Sequence, residues 1–478
     1  MNDTPNPVFK KNLSKISWTK IYDREYGVQY SEAAIQLLAT EKYHFPKTSS
    51  NQVVIPGAGL NTTFFIDSKS WIQLVEGLNK KYTSNVKNLE KYEKQFLFDG
   101  NNYLKFGKRI SKISLKNLPN KKLLSLFLEH REKRNRYSVF AWSAFILNNY
   151  ISDKATKIID SYIVKYRKKA QKQELYDSLF APEKKAAVLE LQYLVQKKNG
   201  KLTAGEFNKL YEKFKWLSCL DIQNKPWTKE EFRQHIKPLA SASSKEIIPF
   251  AKIIQQLKFK RNDLEYLFMA KRFVYIKDAR DDFRREGVFY SQSLFNEIGR
   301  RMNINLADTT YLQEQEIIDF LSGKKTFDAN LIKQRRKGFV IYLDSRNKLV
   351  CLQGNSITKA LKLFKLLGKE EKPTTLSGRV ASKGKAKGTV AIIYGVKDLG
   401  KVQSGNILVA VTTHPDYVSA MRKAAAIITD EGGITSHAAI VSREFGIPCI
   451  VGCKNATKVL KDGNLVEVNA IEGVITKL

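Results

Sequence analysis

The chain has 478 residues, 43% of them hydrophobic and 27% charged, a globular composition with length for roughly two to four domains. Its 82 Lys+Arg against 47 Asp+Glu give a formal charge of +35, which brings polyanions such as nucleic acid into consideration. The basic residues stand in short separate runs, Arg167-Lys168-Lys169 and Gln334-Arg335-Arg336-Lys337 among them, without a zinc finger, basic zipper or aromatic RNA-binding pattern. Solvated helix faces are therefore expected, and a nucleic-acid groove is not.

Met1 to Lys11 lacks the apolar core of a signal peptide. The longest apolar stretch, Val139 to Leu147, falls far short of the roughly 20 residues of a membrane span, so a cytoplasmic protein is expected. Cys219, Cys351, Cys449 and Cys453 are too scattered for a disulfide framework or a zinc site, and no metal site is expected.

Residues 1–110 read as a mixed α/β segment, either separate from the next domain or part of it. The apolar runs Val53 to Pro56 and Thr63 to Ile66, broken by Gly57, Gly59 and Asn61, predict strands or loops between short helices. Trp71 to Gln95 predicts a helix. Residues 111–368 are mainly helical: Leu123, Leu126, Phe127 and His130 recur at helical spacing, as do Tyr137, Phe140, Ala141 and Ala144. From Asn262 to Met302, Leu264, Leu267, Lys271, Val274, Lys277 and Arg280 track up one side, a face that is only partly core. Asp308 to Leu321 predicts one more helix, stopped by Gly323. Gly338 to Leu343 and Lys348 to Leu352 predict a hairpin across Asp344–Asn347, and Thr358 to Leu367 a short helix closed by Gly368. The charged segment 369–373, ending in Pro373, is a linker.

Residues 374–478 change in character. Short β-type runs at Gly378–Val380, Gly388–Ile393, Asn406–Ala410, Ala426–Thr429, Cys449–Val451 and Leu465–Val468 alternate with helical stretches at Pro415–Ala424 and Ser436–Phe445. The expectation is a compact α/β domain behind a largely α-helical region.

Within it, the strand Ala426–Thr429 runs into Asp430-Glu431-Gly432-Gly433, and a helix begins near Thr435-Ser436. Gly446 supplies its left-handed cap and Pro448 bars continuation. His437 therefore lies in the first turn, where unpaired N–H groups and the helix dipole gather. A phosphate on its ring would meet those amides, the Thr435 and Ser436 hydroxyls and the open Gly432-Gly433 loop. Imidazole is a competent nucleophile near neutral pH. A histidine in this position can equally be a polar neighbour of a cap and nothing more.

Further residues narrow the choice. Thr412-Thr413-His414-Pro415-Asp416-Tyr417-Val418, Ala424 to Asp430, the block Gly432 to Gly452, Asn455-Ala456-Thr457, Leu460 to Gly463 and Glu472 to Ile475 resemble the swivelling phosphohistidine (mobile) domain of the phosphoenolpyruvate-utilising enzymes. Thr375 to Ile393, with Gly378, Gly384 and Gly388, resembles that family's glycine-rich first strands. The resemblance implies a β/β/α swivelling fold for 374–478. It implies too that His437 carries the phosphoryl group, with Gly432, Gly433, Thr435 and Ser436 supporting it. Asp278-Ala279-Arg280, Arg284-Arg285, Leu294 to Arg301, Asp308, Tyr311-Leu312 and Glu316-Ile317, with Trp18 and Arg24-Glu25-Tyr26 before them, resemble the helical acceptor-binding part of rifampin phosphotransferase-like members.

No stretch before Gly323 supplies a glycine-rich nucleotide loop in a strand-rich setting. The resemblance then implies no tightly bound cofactor. ATP and Mg²⁺ would come through a separate ATP-grasp partner, with release of AMP and phosphate. The acceptor is a small molecule or a protein, and the domain swings on residues 369–373. Lys277, Arg280 and Arg284 are acceptor-side candidates, whose simpler reading is exposed helix charge. The rival readings are a non-catalytic interaction or regulatory protein with a degenerate domain, or a basic nucleic-acid-binding protein. A direct phosphoenolpyruvate enzyme is disfavoured, because no substrate barrel follows the histidine domain before Leu478.

Overall fold

Two long helices, Asn120–Lys165 and Arg261–Arg301, form the spine of the body in the computed structural model, with Val86–Ile110 packed against both. The described residues are 16–39, 51–57, 60–166, 172–237, 239, 248–255, 257–344, 346–366, 375–414, 417–434 and 436–478. Apolar and aromatic residues at three- and four-residue spacing bury the facing sides of the three helices, including Tyr92, Phe96, Tyr137, Phe140 and Phe273. Among the described residues no helix is long and apolar enough to cross a membrane.

A five-stranded antiparallel sheet caps this bundle. Its strands are β1 (Trp18–Arg24), β2 (Gln52–Pro56), β3 (Thr62–Asp67), β4 (Phe339–Leu343) and β5 (Leu349–Gln353), in the order β1-β3-β2-β4-β5. Val54 pairs with Ile341, so the first strands and the late hairpin share one sheet. Tyr22, Val54, Phe64 and Ile341 enter the same core as the spine helices. Residues 1–110 thus contribute strands to a sheet completed by residues after 338.

Three shorter helices, Ala187–Lys197, Ala204–Phe214 and Lys229–Ile236, stand beside the body. Capping boxes start the last two, Thr203 with Glu206 and Thr228 with Glu231. Leu191, Phe214, Trp227 and Phe232 from this group share a core with Tyr417, Met421, Ile427 and Ala439 of the C-terminal domain.

That domain holds eight strands: β6 (Thr375–Ser377), β7 (Arg379–Ser382), β8 (Lys385–Ile393), β9 (Ile407–Ala410), β10 (Ala426–Thr429), β11 (Cys449–Val451), β12 (Leu465–Asn469) and β13 (Val474–Lys477). Their order is β6-β13-β12-β8-β9-β10-β11-β7, with β8 to β11 parallel and the remaining pairs antiparallel. Only Gly378 separates the two outermost strands, so one bent segment pairs at both ends of the sheet and leaves little open edge. A Cβ at Gly378 would lie 2.6 Å from Ile450 Cγ2 and 2.7 Å from Cys453 Sγ, which makes glycine obligatory at the bend.

Several boundaries differ from those read in the sequence. The helix expected from Thr358 to Leu367 runs from Ser356 to Phe364 and stops at Lys365, which is left-handed (φ +55°). Leu366 N–H returns to Leu361 O and closes the end, while Gly368 and the 369–373 linker lie outside the described residues. The helix expected from Asp308 divides into a 3-10 turn, Leu306–Tyr311, and a helix, Glu314–Leu321, because Gln313 and Glu316 make a new capping box. The Trp71–Gln95 helix likewise breaks at Asn85, whose side chain caps Val86–Ile110.

Candidate phosphoryl-transfer site

Parallel strands β9 and β10 end side by side, so the loops that follow them, 411–414 and 430–434, meet at one edge of the sheet. His437 opens the helix His437–Phe445 there. Ser436 is the N-cap: its backbone is extended and its Oγ accepts from Ala439 N at 3.3 Å. Gly446, left-handed at φ +66°, ends the helix as its sequence position requires.

The His437 ring has two different environments. Nδ1 lies 2.9 Å from Thr413 Oγ1 in the neighbouring loop. Nε2 is buried without a hydrogen-bond partner among the described residues. Burial chiefly, then the charges of Lys277 and Arg285 and the nearby His235, lower the His437 pKa to about 3, with Asp281 opposing. The ring is therefore neutral near pH 7. In the tautomer that donates from Nδ1–H to Thr413 Oγ1, the lone pair lies on Nε2.

Charged groups of the body act on the ring. Lys277, Asp281 and Arg285 are spaced four apart on the long helix Arg261–Arg301, hence on one stripe, and the charges of all three bear on His437. Lys277 and Arg285 are only 6% and 2% exposed, so neither is an ordinary solvated helix charge. Lys277 Nζ pairs with Asp278 Oδ1 at 2.7 Å, and Arg285 donates to Leu217 O. Arg284 is also tied in place, by Tyr26 Oη and Leu220 O at 3.0 Å each and Asp281 Oδ1 at 2.9 Å. Arg280 reaches Asp281 Oδ2 at 3.4 Å and lies 5.3 Å from the Phe145 ring centre. Of the three sequence candidates, Lys277 is the one whose charge acts on the histidine, whereas Arg280 and Arg284 brace Asp281 and the aromatic wall beside it.

The Gly432-Gly433 loop is occupied by contacts of its own. Gly432 has φ +105°, and a Cβ there would lie 2.9 Å from Ser436 Cβ. A Cβ at Gly433 would lie 3.0 Å from Asn149 Oδ1, so the second glycine lets the loop approach the helix Asn120–Lys165. Thr435 lies outside the described residues. Around the loop, Glu431 pairs with Arg24 at 3.4 Å and Lys20 at 3.7 Å, Arg379 with Asp153, and Arg443 with Asp177 at 3.5 Å. Burial pushes the Glu431 carboxyl up to about 7, against the pull of Arg24 and Lys20.

Thr413, Asp281, Arg285 and His235 join the site without having been singled out as site residues in the sequence. Thr413 is 24 positions from His437, and only strand adjacency brings them together. Arg285 had a usable signal, its four-residue spacing from Lys277 and Asp281. Among the described residues no group of three or more His, Cys, Asp or Glu could hold a metal ion.

An α/β domain with a neutral histidine at a helix start, under the charge of buried cations, has the parts that a phosphohistidine carrier needs. Residues 402–473 match the family described as PEP-utilising enzyme, mobile domain, and the C-terminal domain belongs to that family. A probable phosphoenolpyruvate synthase of Archaeoglobus fulgidus is 56% identical over 100 residues, 21% of this chain and 13% of the relative. The phosphoenolpyruvate synthase of Pyrococcus furiosus is 54% identical over 108 residues, 23% of this chain and 13% of the relative. That of Pseudomonas aeruginosa is 35% identical over 173 residues, 36% of this chain and 21% of the relative. The chain thus spans only 13% to 21% of the length of these relatives. Among solved structures, the NMR solution structure of Enzyme I (nEIt) is 17% identical and covers 64% of this chain and 79% of its own, with a TM-score of 0.18. At that TM-score the likeness carries no weight for the fold.

Proposed function

We propose that this chain is the phosphoryl carrier of a phosphotransferase. In this reading His437 Nε2 takes a phosphoryl group from an ATP-grasp protein that holds ATP and Mg²⁺. It then delivers the group to an acceptor bound by the helical body. The observation that carries the reading is the asymmetry of the ring: Nδ1 is held by Thr413 while Nε2 is buried and unpartnered, with the charges of Lys277 and Arg285 acting on the ring.

The Nε2 lone pair attacks the β-phosphorus of ATP. An N–P bond forms as the bond from that phosphorus to the α-phosphate oxygen breaks and AMP leaves; water then cleaves off the γ-phosphate, and the β-phosphoryl group stays on Nε2. Nδ1 keeps its proton, donated to Thr413 Oγ1, throughout, so the phosphorylated ring is cationic and a good leaving group. In the second step an acceptor oxygen bonds to phosphorus, the N–P bond breaks, and the acceptor loses its proton to solvent. Lys277 and Arg285 offset phosphoryl charge in a buried setting, where such neutralisation is most effective. Charging requires Nε2 to be uncovered, so the domain lifts off the body and the Glu431, Arg379 and Arg443 ion pairs open.

The test is incubation with ATP labelled separately at its β- and γ-phosphates, with and without a candidate ATP-grasp partner. Acid-labile, base-stable label from the β-position, dependent on the partner and absent from His437→Ala, is expected. No label with a partner known to be active overturns the proposal.

A further inference from the structure

The helical body contains a second site, apart from the histidine. A cavity of about 70 Å³ lies inside it, and Leu220 forms a wall shared with the small cleft beneath His414. Tyr30, His130, Tyr137, Trp142, Arg284 and Phe295 line it, drawn from the helix Val28–Leu38 and both spine helices. At roughly 10–15 Å³ per water-sized position, the space matches about five waters, or one six-membered ring with a small substituent.

One wall residue is chemically unfinished. His130 is 2% exposed, and neither ring nitrogen has a hydrogen-bond partner among the described residues. Tyr103, Phe106 and Phe295 pack around its ring at centroid distances of 5.3 to 6.2 Å, and none supplies an acceptor. Burial, then the charge of Arg134, lowers its pKa to about 3, so it presents one N–H and one lone pair. A buried imidazole with both nitrogens idle is costly and points to a ligand.

Several other polar groups of the wall are already engaged. Arg134 pairs with Glu314 Oε1 at 2.6 Å, and Arg284 with Asp281. Asp221 accepts from Gly27 N and Thr310 Oγ1 at 3.0 Å each, and Tyr137 donates to Arg280 O. Both wall arginines already hold carboxylate partners, so an anionic ligand would lose its hydration and gain no free counter-ion. The faces of Tyr30, Trp142 and Tyr103 instead suit a flat apolar ring.

We infer that this cavity binds a small, uncharged aromatic molecule bearing a hydroxyl group, which hydrogen-bonds a ring nitrogen of His130. The inference does not depend on phosphoryl transfer, because occupancy is read without any phosphoryl donor. It is tested by calorimetric titration and thermal unfolding of the full chain with phenol, benzoate and toluene.

Saturable one-to-one binding of phenol with a raised Tm, and none of benzoate, is expected. His130→Leu should weaken phenol about tenfold while leaving toluene unchanged, since only the hydrogen bond is lost. Ala141→Phe, which fills the cavity, should abolish both. Should either variant fail to fold, the His130 ring nitrogen resonances of the unmodified protein must shift on addition of phenol. Absence of saturable phenol binding, benzoate binding as tight as phenol, persistence of phenol binding in Ala141→Phe, or unmoved His130 resonances would overturn the inference.

Discussion

Thr413 is the residue on which the reactivity of His437 turns. Thr413→Val keeps the shape of the side chain and removes the oxygen 2.9 Å from Nδ1. The nucleophilic tautomer, with its proton on Nδ1, then buries an unpaired N–H, at a cost of roughly 1–3 kcal/mol. The tautomer protonated on Nε2, equally unpaired, becomes comparably populated, and the ring loses a bond from Nδ1–H that strengthens as phosphorylation makes the ring cationic. At about 1.4 kcal/mol per tenfold in rate, a loss of about 1–2 kcal/mol should slow labelling of His437 by roughly 5- to 30-fold. Thr413→Ser should retain most of the rate. The assay is the initial rate of acid-labile labelling, accompanied by ¹⁵N NMR of the ring, which reports the tautomer without ATP. Equal labelling rates for Thr413→Val and wild type, or a wild-type ring protonated on Nε2, would refute the reasoning.

Three other perturbations probe the seating of the domain and its buried histidines. Gly433→Leu drives a side chain into Asn149, where even a Cβ sits at 3.0 Å, so the C-terminal domain should leave the body. Solution scattering should then show a larger radius of gyration at unchanged helicity, and an unchanged radius counts against the contact. Glu431→Arg should loosen the same seating by setting three cations together, and the double variant with Arg24→Glu should restore much of it. Simple additivity of the two in scattering or proteolysis would show that the pair does not hold the domain. His235, stacked 4.3 Å from Trp227, has its pKa lowered by burial from 6.5 to about 4. The unfolded chain therefore takes up a proton below about pH 6.5 that the native chain refuses. This contribution is absent above that pH and weakens the fold as pH falls toward 4. His235→Phe should accordingly reduce the stability lost between pH 7 and pH 5 by about 2 kcal/mol, read from urea unfolding at the two pH values.

Local signals carried much of the C-terminal domain. Short apolar runs announced the strands now numbered β7 to β12. Ser436 and Gly446 marked the start and end of the helix that bears His437, because capping is chemistry between residues three or four apart. The same local grammar located the Asp344–Asn347 hairpin and the long helix Arg261–Arg301. It placed helix ends less well, as at Lys365, where a non-glycine residue adopts the left-handed conformation. What covers each face was decided only in three dimensions. Helical spacing put Lys271 and Lys277 on one side of the long helix, but their burial comes from the segments folded over them. The pairing of Val54 with Ile341 and the bond from Thr413 to His437 join residues whose order in the chain carries no trace of their contact. The amino-acid sequence determined a histidine at the start of a helix. The tertiary structure decided which of its nitrogens is unpartnered and which charges act on it, because both depend on loops and helices meeting from distant parts of the chain.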